Sequence, residues 1–108
     1  MGKDAAPPRT VTRWLERRLP ALLRRHRVEA AYLFGSWARR EGDRFSDIDL
    51  IIVAPSRRPF VDRFRDYPDL LRAPTGVDLL VYTAEEFARQ RRASRFIRHV
   101  LREARRIA

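Results

Sequence analysis

The chain has 108 residues, 44% hydrophobic and 35% charged, with a net charge of +10 and no cysteine. That balance belongs to a globular chain with one real core rather than a disordered one, and the lack of cysteine excludes a disulfide scaffold and a thiolate metal site. No apolar run approaches a membrane span and MGKDAAPPRT has no apolar leader, so the expectation is a cytoplasmic single domain over 10–108 behind a flexible lead-in over 1–9.

Val11, Trp14, Leu15, Leu19, Leu22 and Leu23 recur at helical spacing and predict a helix over 10–26. Pro20 either opens a second helical segment in its first turn or kinks a single one. Residues 30–35 predict a strand, SWARREG is long enough for only a turn or two of helix, and residues 47–54 predict a second strand stopped by Pro55. PSRRP is a loop. A helix follows over about 60–72, with Phe60, Phe64, Tyr67 and Leu71 on one side and Pro68 disturbing it. APTG is a turn and VDLLVYT a third strand. Thr83 with Glu86 forms a capping box that starts a helix at Ala84. RQRRASR breaks the apolar rhythm near 92–95, and Ile97, Val100, Leu101 and Ala104 restore it in a last helix. Strands alternating with helices predict an α/β (α+β) domain, a small mixed β-sheet of three to four strands with helices packed on one face.

All but Lys3 of the 24 basic residues are Arg, spread over both halves. This resembles a coding bias more than a phosphate-binding design, and it argues against direct nucleic-acid binding as the primary role. Residues 89–106 are the most Arg-rich stretch: either a solvated helix face, or a docking surface for an acidic partner or for RNA bound to it.

Two acids stand out at the mouth of the second strand. Residues two apart in a strand share a face, so Asp47 and Asp49 project together while Ile48, Leu50 and Ile52 face the core. Two ionised carboxylates that close raise each other's pKa unless a positive charge intervenes, and a divalent cation suits the spacing better than an Arg pair. Asp78 opens the next strand, in register with Leu80 and Tyr82. If the two strands are neighbours, three carboxylates converge and can hold two cations about 3.5–4 Å apart, the arrangement used for phosphoryl and nucleotidyl transfer. Gly35 and Ser36 supply the other half, a strand-to-helix turn whose backbone N–H groups approach a phosphate with no side chain in the way. Each part alone is common. Gly-Ser, ten residues, then Asp-x-Asp arises by chance on the order of once per thousand such chains at average residue usage.

YLFGSWARREGDRFSDIDLIIV resembles the signature of the DNA polymerase β-type nucleotidyltransferase superfamily, and most closely the minimal nucleotidyltransferases encoded beside HEPN-domain proteins as antitoxins. The resemblance implies that Asp47 and Asp49 bind two Mg²⁺ ions, and that Asp78 binds the catalytic ion and helps deprotonate the acceptor. It implies that Gly35 and Ser36 hold the β,γ-phosphates of ATP, and that Arg39 steadies the triphosphate. In those relatives AMP passes to a tyrosine hydroxyl of a HEPN RNase toxin, and the resemblance implies a hetero-oligomer with such a toxin. Two other readings stay open: an antitoxin that neutralises by contact with little catalysis, or a transferase for a small molecule or an RNA end. Arg40 departs from the family, which often has Gly there; its guanidinium either grips a phosphate or faces solvent. The tail LREARRIA also lacks the family's usual Gly. Trp37 either stacks on the base or packs the short helix, Trp14 belongs to the core, and His26 and His99 lack metal-ligand spacing.

Overall fold

A computed structural model describes residues 8–108; the greater part of the expected 1–9 lead-in lies outside the described residues, and Pro8 and Arg9 already belong to the first helix. Helix α1 (Pro8–Arg13) passes into a π-helical segment (Trp14–Arg18) and then α2 (Leu19–Arg25). The wide turn has a local cause. Pro20 has no N–H and crowds the carbonyl one turn back, and the preceding Leu19 N–H bonds to the Trp14 carbonyl in the wider pattern. Both expected effects of Pro20, a new segment and a disturbed ladder, are therefore present in one continuous rod.

Strand β1 (Ala30–Phe34) runs into a single helical turn, α3 (Gly35–Ala38), and then β2 (Ile48–Val53). The expected helix over 60–72 is instead two 3-10 segments, Phe60–Asp66 and Pro68–Arg72. Tyr67, kept out of the helical region at φ −129 and ψ 60 before the following proline, separates them. Strand β3 (Val77–Tyr82), α4 (Ala84–Ala93), α5 (Arg95–Glu103) and a two-residue β4 (Arg105–Arg106) complete the chain. The Thr83–Glu86 capping box starts α4, and Ser94 caps α5 at the expected break.

The sheet is mixed, in the order β3-β2-β1-β4, with β1 antiparallel to both neighbours and β2 parallel to β3. Helices cover both of its faces, which corrects the expectation of one. Ile48, Leu50 and Ile52 pack with Val11, Trp14, Leu19 and Leu23 of the N-terminal rod. Ile51 and Val53, on the other face, pack with Phe87, Ile97 and Val100 of α4 and α5. The unbroken apolar run LIIVA, after Asp49, carries the reason: a strand buried on both faces is apolar at successive positions, whereas a one-sided strand alternates. Among the described residues no helix is long and apolar enough to cross a membrane.

Candidate active site

The sheet register brings the three acids to one end of one face. Asp49 is the Cα partner of Asp78 in the parallel β2–β3 pair and of Phe34 in the antiparallel β1–β2 pair. Asp47 precedes β2 and is exposed, while Asp49 is half-buried. Had Asp78 fallen one residue out of register it would face the N-terminal rod instead, so the neighbouring of β2 and β3 decides the arrangement.

Glycines make room for the carboxylates. Gly35 has φ +72, a left-handed conformation that L side chains rarely adopt. A Cβ on it would come within 2.2 Å of Asp49 Oδ2. The Gly-Ser turn is thus pressed against the acid pair, closed by the Arg39 N–H donating to the Gly35 carbonyl and the Glu41 N–H donating to that of Ser36. The first N–H groups of α3 have no partner within the turn, as at any helix start. On the other side a Cβ on Gly76 would stand 2.6 Å from Asp47 Oδ1. Sequence reasoning took Gly76 for an ordinary turn residue; its place directly before the strand that carries Asp78, mirroring Gly35, was the available signal.

Asp47 is held by its neighbours' backbone. The Ile48 N–H donates to the Gly76 carbonyl at 2.8 Å. Trp37 Nε1 and Thr75 Oγ1 both donate to the Ser46 carbonyl, at 3.1 and 3.4 Å. Trp37 is buried at 5% exposure, and Gly42 lies flat against its ring, so it packs the turn and is no platform for a base.

The electrostatics follow. Burial, then the Asp78 charge and a hydrogen bond with Asp78, then the Asp47 charge push the Asp49 carboxyl up to about 6. Arg39 pulls the other way and has the smallest influence. Arg39 is turned toward Glu41 at 3.0 Å and Glu103 of α5 at 3.5 Å, so its guanidinium is near the acids but engaged elsewhere. Among the described residues no group of three or more His, Cys, Asp or Glu side chains closes on a metal ion by itself. The donor set nonetheless fits Mg²⁺, which keeps waters and is bound through one or two carboxylates plus substrate phosphate. Hard oxygen donors, an uncompensated negative charge on Asp49, and a side-chain-free turn beside it are what such an ion and a phosphate require.

The remaining candidates lie elsewhere. Arg40 has φ 62, which explains why Gly suits that position, and its side chain is exposed beside Glu16 and Trp37. Tyr82 shares the Asp78 face but stacks near Phe60 and Phe87 at the far end of β3. His26 rests against Tyr67 and Asp69. His99 is on the exposed side of α5, and the arginines of 89–106 are exposed along α4, α5 and β4. Phe34 and Phe96, in edge contact at 6.4 Å, form a wall beside Asp49 that the sequence did not single out.

A family model described as "Polymerase beta, Nucleotidyltransferase" matches residues 18–107. No curated protein matches at a significant level. Among solved structures, a toxin–antitoxin crystallised with AMP-PNP superimposes with a TM-score of 0.63 at 25% identity, covering 86% of this chain and 72% of that one. The toxin–antitoxin MntA–HpeT, carrying two Asp→Glu substitutions, gives 0.59 at 22% identity over 86% and 71%. A protein of Sulfolobus solfataricus classed with the nucleotidyltransferases gives 0.54 at 26% identity over 82% and 84%.

Proposed function

The chain belongs to the polymerase beta nucleotidyltransferase family, and from that premise we propose that it is a Mg²⁺-dependent adenylyltransferase acting as an antitoxin. Its substrate is ATP, and its acceptor is a hydroxyl, a tyrosine of a HEPN RNase toxin, with which it forms a hetero-oligomer in the cytoplasm. The observation that carries the reading is the pairing of Asp49 with Asp78 across β2–β3, with Gly35 pressed on Asp49. The toxin–antitoxin neighbours support a toxin partner, and the AMP-PNP in one of them supports an adenine nucleotide.

In this reading Asp47, Asp49 and Asp78 would hold two Mg²⁺ ions, which when bound supply positive charge to the phosphates and the entering oxygen. Gly35 and Ser36 cradle the β,γ-phosphates with backbone N–H groups and the Ser36 hydroxyl. Arg39 reaches the triphosphate by leaving Glu41 or Glu103. Asp78 accepts the proton of the acceptor hydroxyl, whose oxygen bonds to the α-phosphorus. The bond from that phosphorus to the bridging oxygen breaks, and pyrophosphate leaves with the electron pair. Positioning and charge neutralisation supply most of the rate, as in other phosphoryl transfers.

The test is transfer of label from α-labelled ATP to a co-purified partner. Label appears with the wild type and Mg²⁺, and disappears with Asp47→Asn. Rescue of partner toxicity by the Asp47→Asn, Asp49→Asn double variant, without label, would instead establish neutralisation by contact.

A further inference from the structure

Among the described residues β3 is an edge strand, and only half of its outer edge is occupied. The Gly76 and Tyr82 carbonyls accept from Ile48 and Ala54 on the β2 side. In a strand the hydrogen-bonding direction alternates, so the backbone groups of Val77, Leu79 and Val81 point away from the sheet. At Val81 the carbonyl accepts Arg63 Nη1 at 3.0 Å, and buried Arg63 closes that half. Among the described residues, the half beside Asp78 has no such cover. There Val77 and Leu79 border a groove of about 280 Å³ between β3 and the 3-10 segments, with Phe64 and Leu71 on its outer wall. Phe64 and Leu71 are 47% and 79% exposed, an unusual state for two large apolar side chains beside an open strand edge.

We propose that the open half-edge of β3 at Val77–Leu79 is the acceptor's docking site, and that it takes an extended segment of the partner protein as an added strand. This rests on the transferase reading above and deepens it by naming the acceptor's conformation. Backbone N–H and C=O groups at an edge are satisfied by another extended backbone, and a helix or a free nucleotide offers no matching ladder. The alternation of an added strand then divides its side chains. One set falls on the face of Leu79 and fills the Phe64–Leu71 groove. The residue next along the strand falls on the face of Asp78, where a hydroxyl meets the acid that takes its proton. An apolar residue beside a hydroxyl-bearing one is thus the acceptor motif, and Leu71 and Phe64 set specificity without touching the reacting atoms.

The experiment uses wild-type protein, α-labelled ATP with Mg²⁺, and a synthetic decapeptide of alternating valine and threonine with one central tyrosine. A second peptide has the same sequence with alternate amides N-methylated. Losing two backbone hydrogen bonds lowers labelling by about tenfold or more. Leu71→Glu, a surface change whose folding is checked by its cooperative melt, lowers labelling of the unmodified peptide similarly. Equal labelling of the two peptides, or full labelling by Leu71→Glu, overturns the proposal. So does labelling of neither peptide while Mg²⁺ with α,β-methylene-ATP still raises the melting temperature. Loss of that nucleotide-dependent rise would refute the transferase reading itself. A wild-type dimer in sedimentation that Val77→Pro converts to monomer would assign the edge to a second copy of this chain, and would also overturn the proposal; proline is tolerated at the first residue of an edge strand.

Discussion

Asp49→Asn should make the metal-free protein more stable while removing its response to Mg²⁺. The Asp49 carboxyl is pushed up from 3.8 to about 6 by burial and by Asp78 and Asp47. A raised folded-state pKa means that protonation favours the fold. That contribution is fully present below about pH 4, and is lost as pH rises through about 6. At pH 8 the ionised carboxylate therefore costs the fold about 3 kcal/mol at most, from two units at 1.36 kcal/mol each. Asp49 is only half-buried, and solvent screening reduces this to about 1–2 kcal/mol. Asparagine keeps the volume, drops the charge, and offers Asp78 an N–H. For a domain of this size the melting temperature in EDTA should rise by roughly 4–8 °C per kcal/mol. With Mg²⁺ and α,β-methylene-ATP the wild type should gain and the variant should not, closing or reversing the gap. The gap in EDTA should also shrink as pH falls from about 7 to 4. A variant less stable than wild type at pH 8 without metal, or a gap independent of pH, would refute the repulsion argument.

Two further expectations concern the frame around the site. Arg40→Gly should stabilise the protein by about 0.5–1 kcal/mol, because a left-handed Arg costs about 1–2 kcal/mol and glycine returns part of that as backbone entropy; thermal melts check it, and a loss of stability would mean that the exposed guanidinium makes a contact worth more than the strain. Glu86 is held down at about 2 chiefly by the Arg63 guanidinium and then by the Thr83 N–H. A depressed pKa adds stability above about 4.5 that is lost as pH falls toward 2. Glu86→Gln leaves the buried Arg63 charge uncompensated and should cost about 3 kcal/mol in denaturant titration at pH 7, with the difference from wild type shrinking below about pH 4.5.

The site was more legible in the sequence than the frame that holds it. Asp47, Asp49, Gly35 and Ser36 lie within one strand-turn-strand unit, where a period of two and a fixed spacing determine what faces what. Asp78 was placed by the expectation that VDLLVY neighbours IDLIIV, and the parallel pairing of Asp49 with Asp78 meets it. The glycine preference at position 40 became intelligible only with φ 62, since no local pattern reveals the backbone hand of a residue after a single helical turn. Gly76 and Gly42 act through atoms remote in sequence, Asp47 Oδ1 and the Trp37 ring, so their need for a missing Cβ is set by tertiary approach. The 3-10 segments carry a helix-like apolar pattern because both helix types repeat near three residues, and periodicity over so short a stretch does not separate them.

The register of β3 is what the proposed chemistry depends on, and the strand's own side chains specify it weakly. Of its six residues only Val81 is buried, while Asp78 is exposed and the other four are half-buried. A one-residue slip would therefore lose little apolar burial, yet it would turn Asp78 to the opposite face. The register is pinned at the two ends instead. At the start, the Gly76 carbonyl takes the Ile48 N–H. At the end, the Tyr82 carbonyl takes the Ala54 N–H. Beyond it the capping box fixes Thr83 to Glu86, and Arg63 ties Glu86 to the Val81 carbonyl. The pair of buried Arg63 with half-buried Glu86 thus bears on the candidate site at the far end of the strand. It acts as a positioning pair, because the parallel β2–β3 ladder transmits register along its whole length, and it leaves the half-edge beside Asp78 free while it occupies the other.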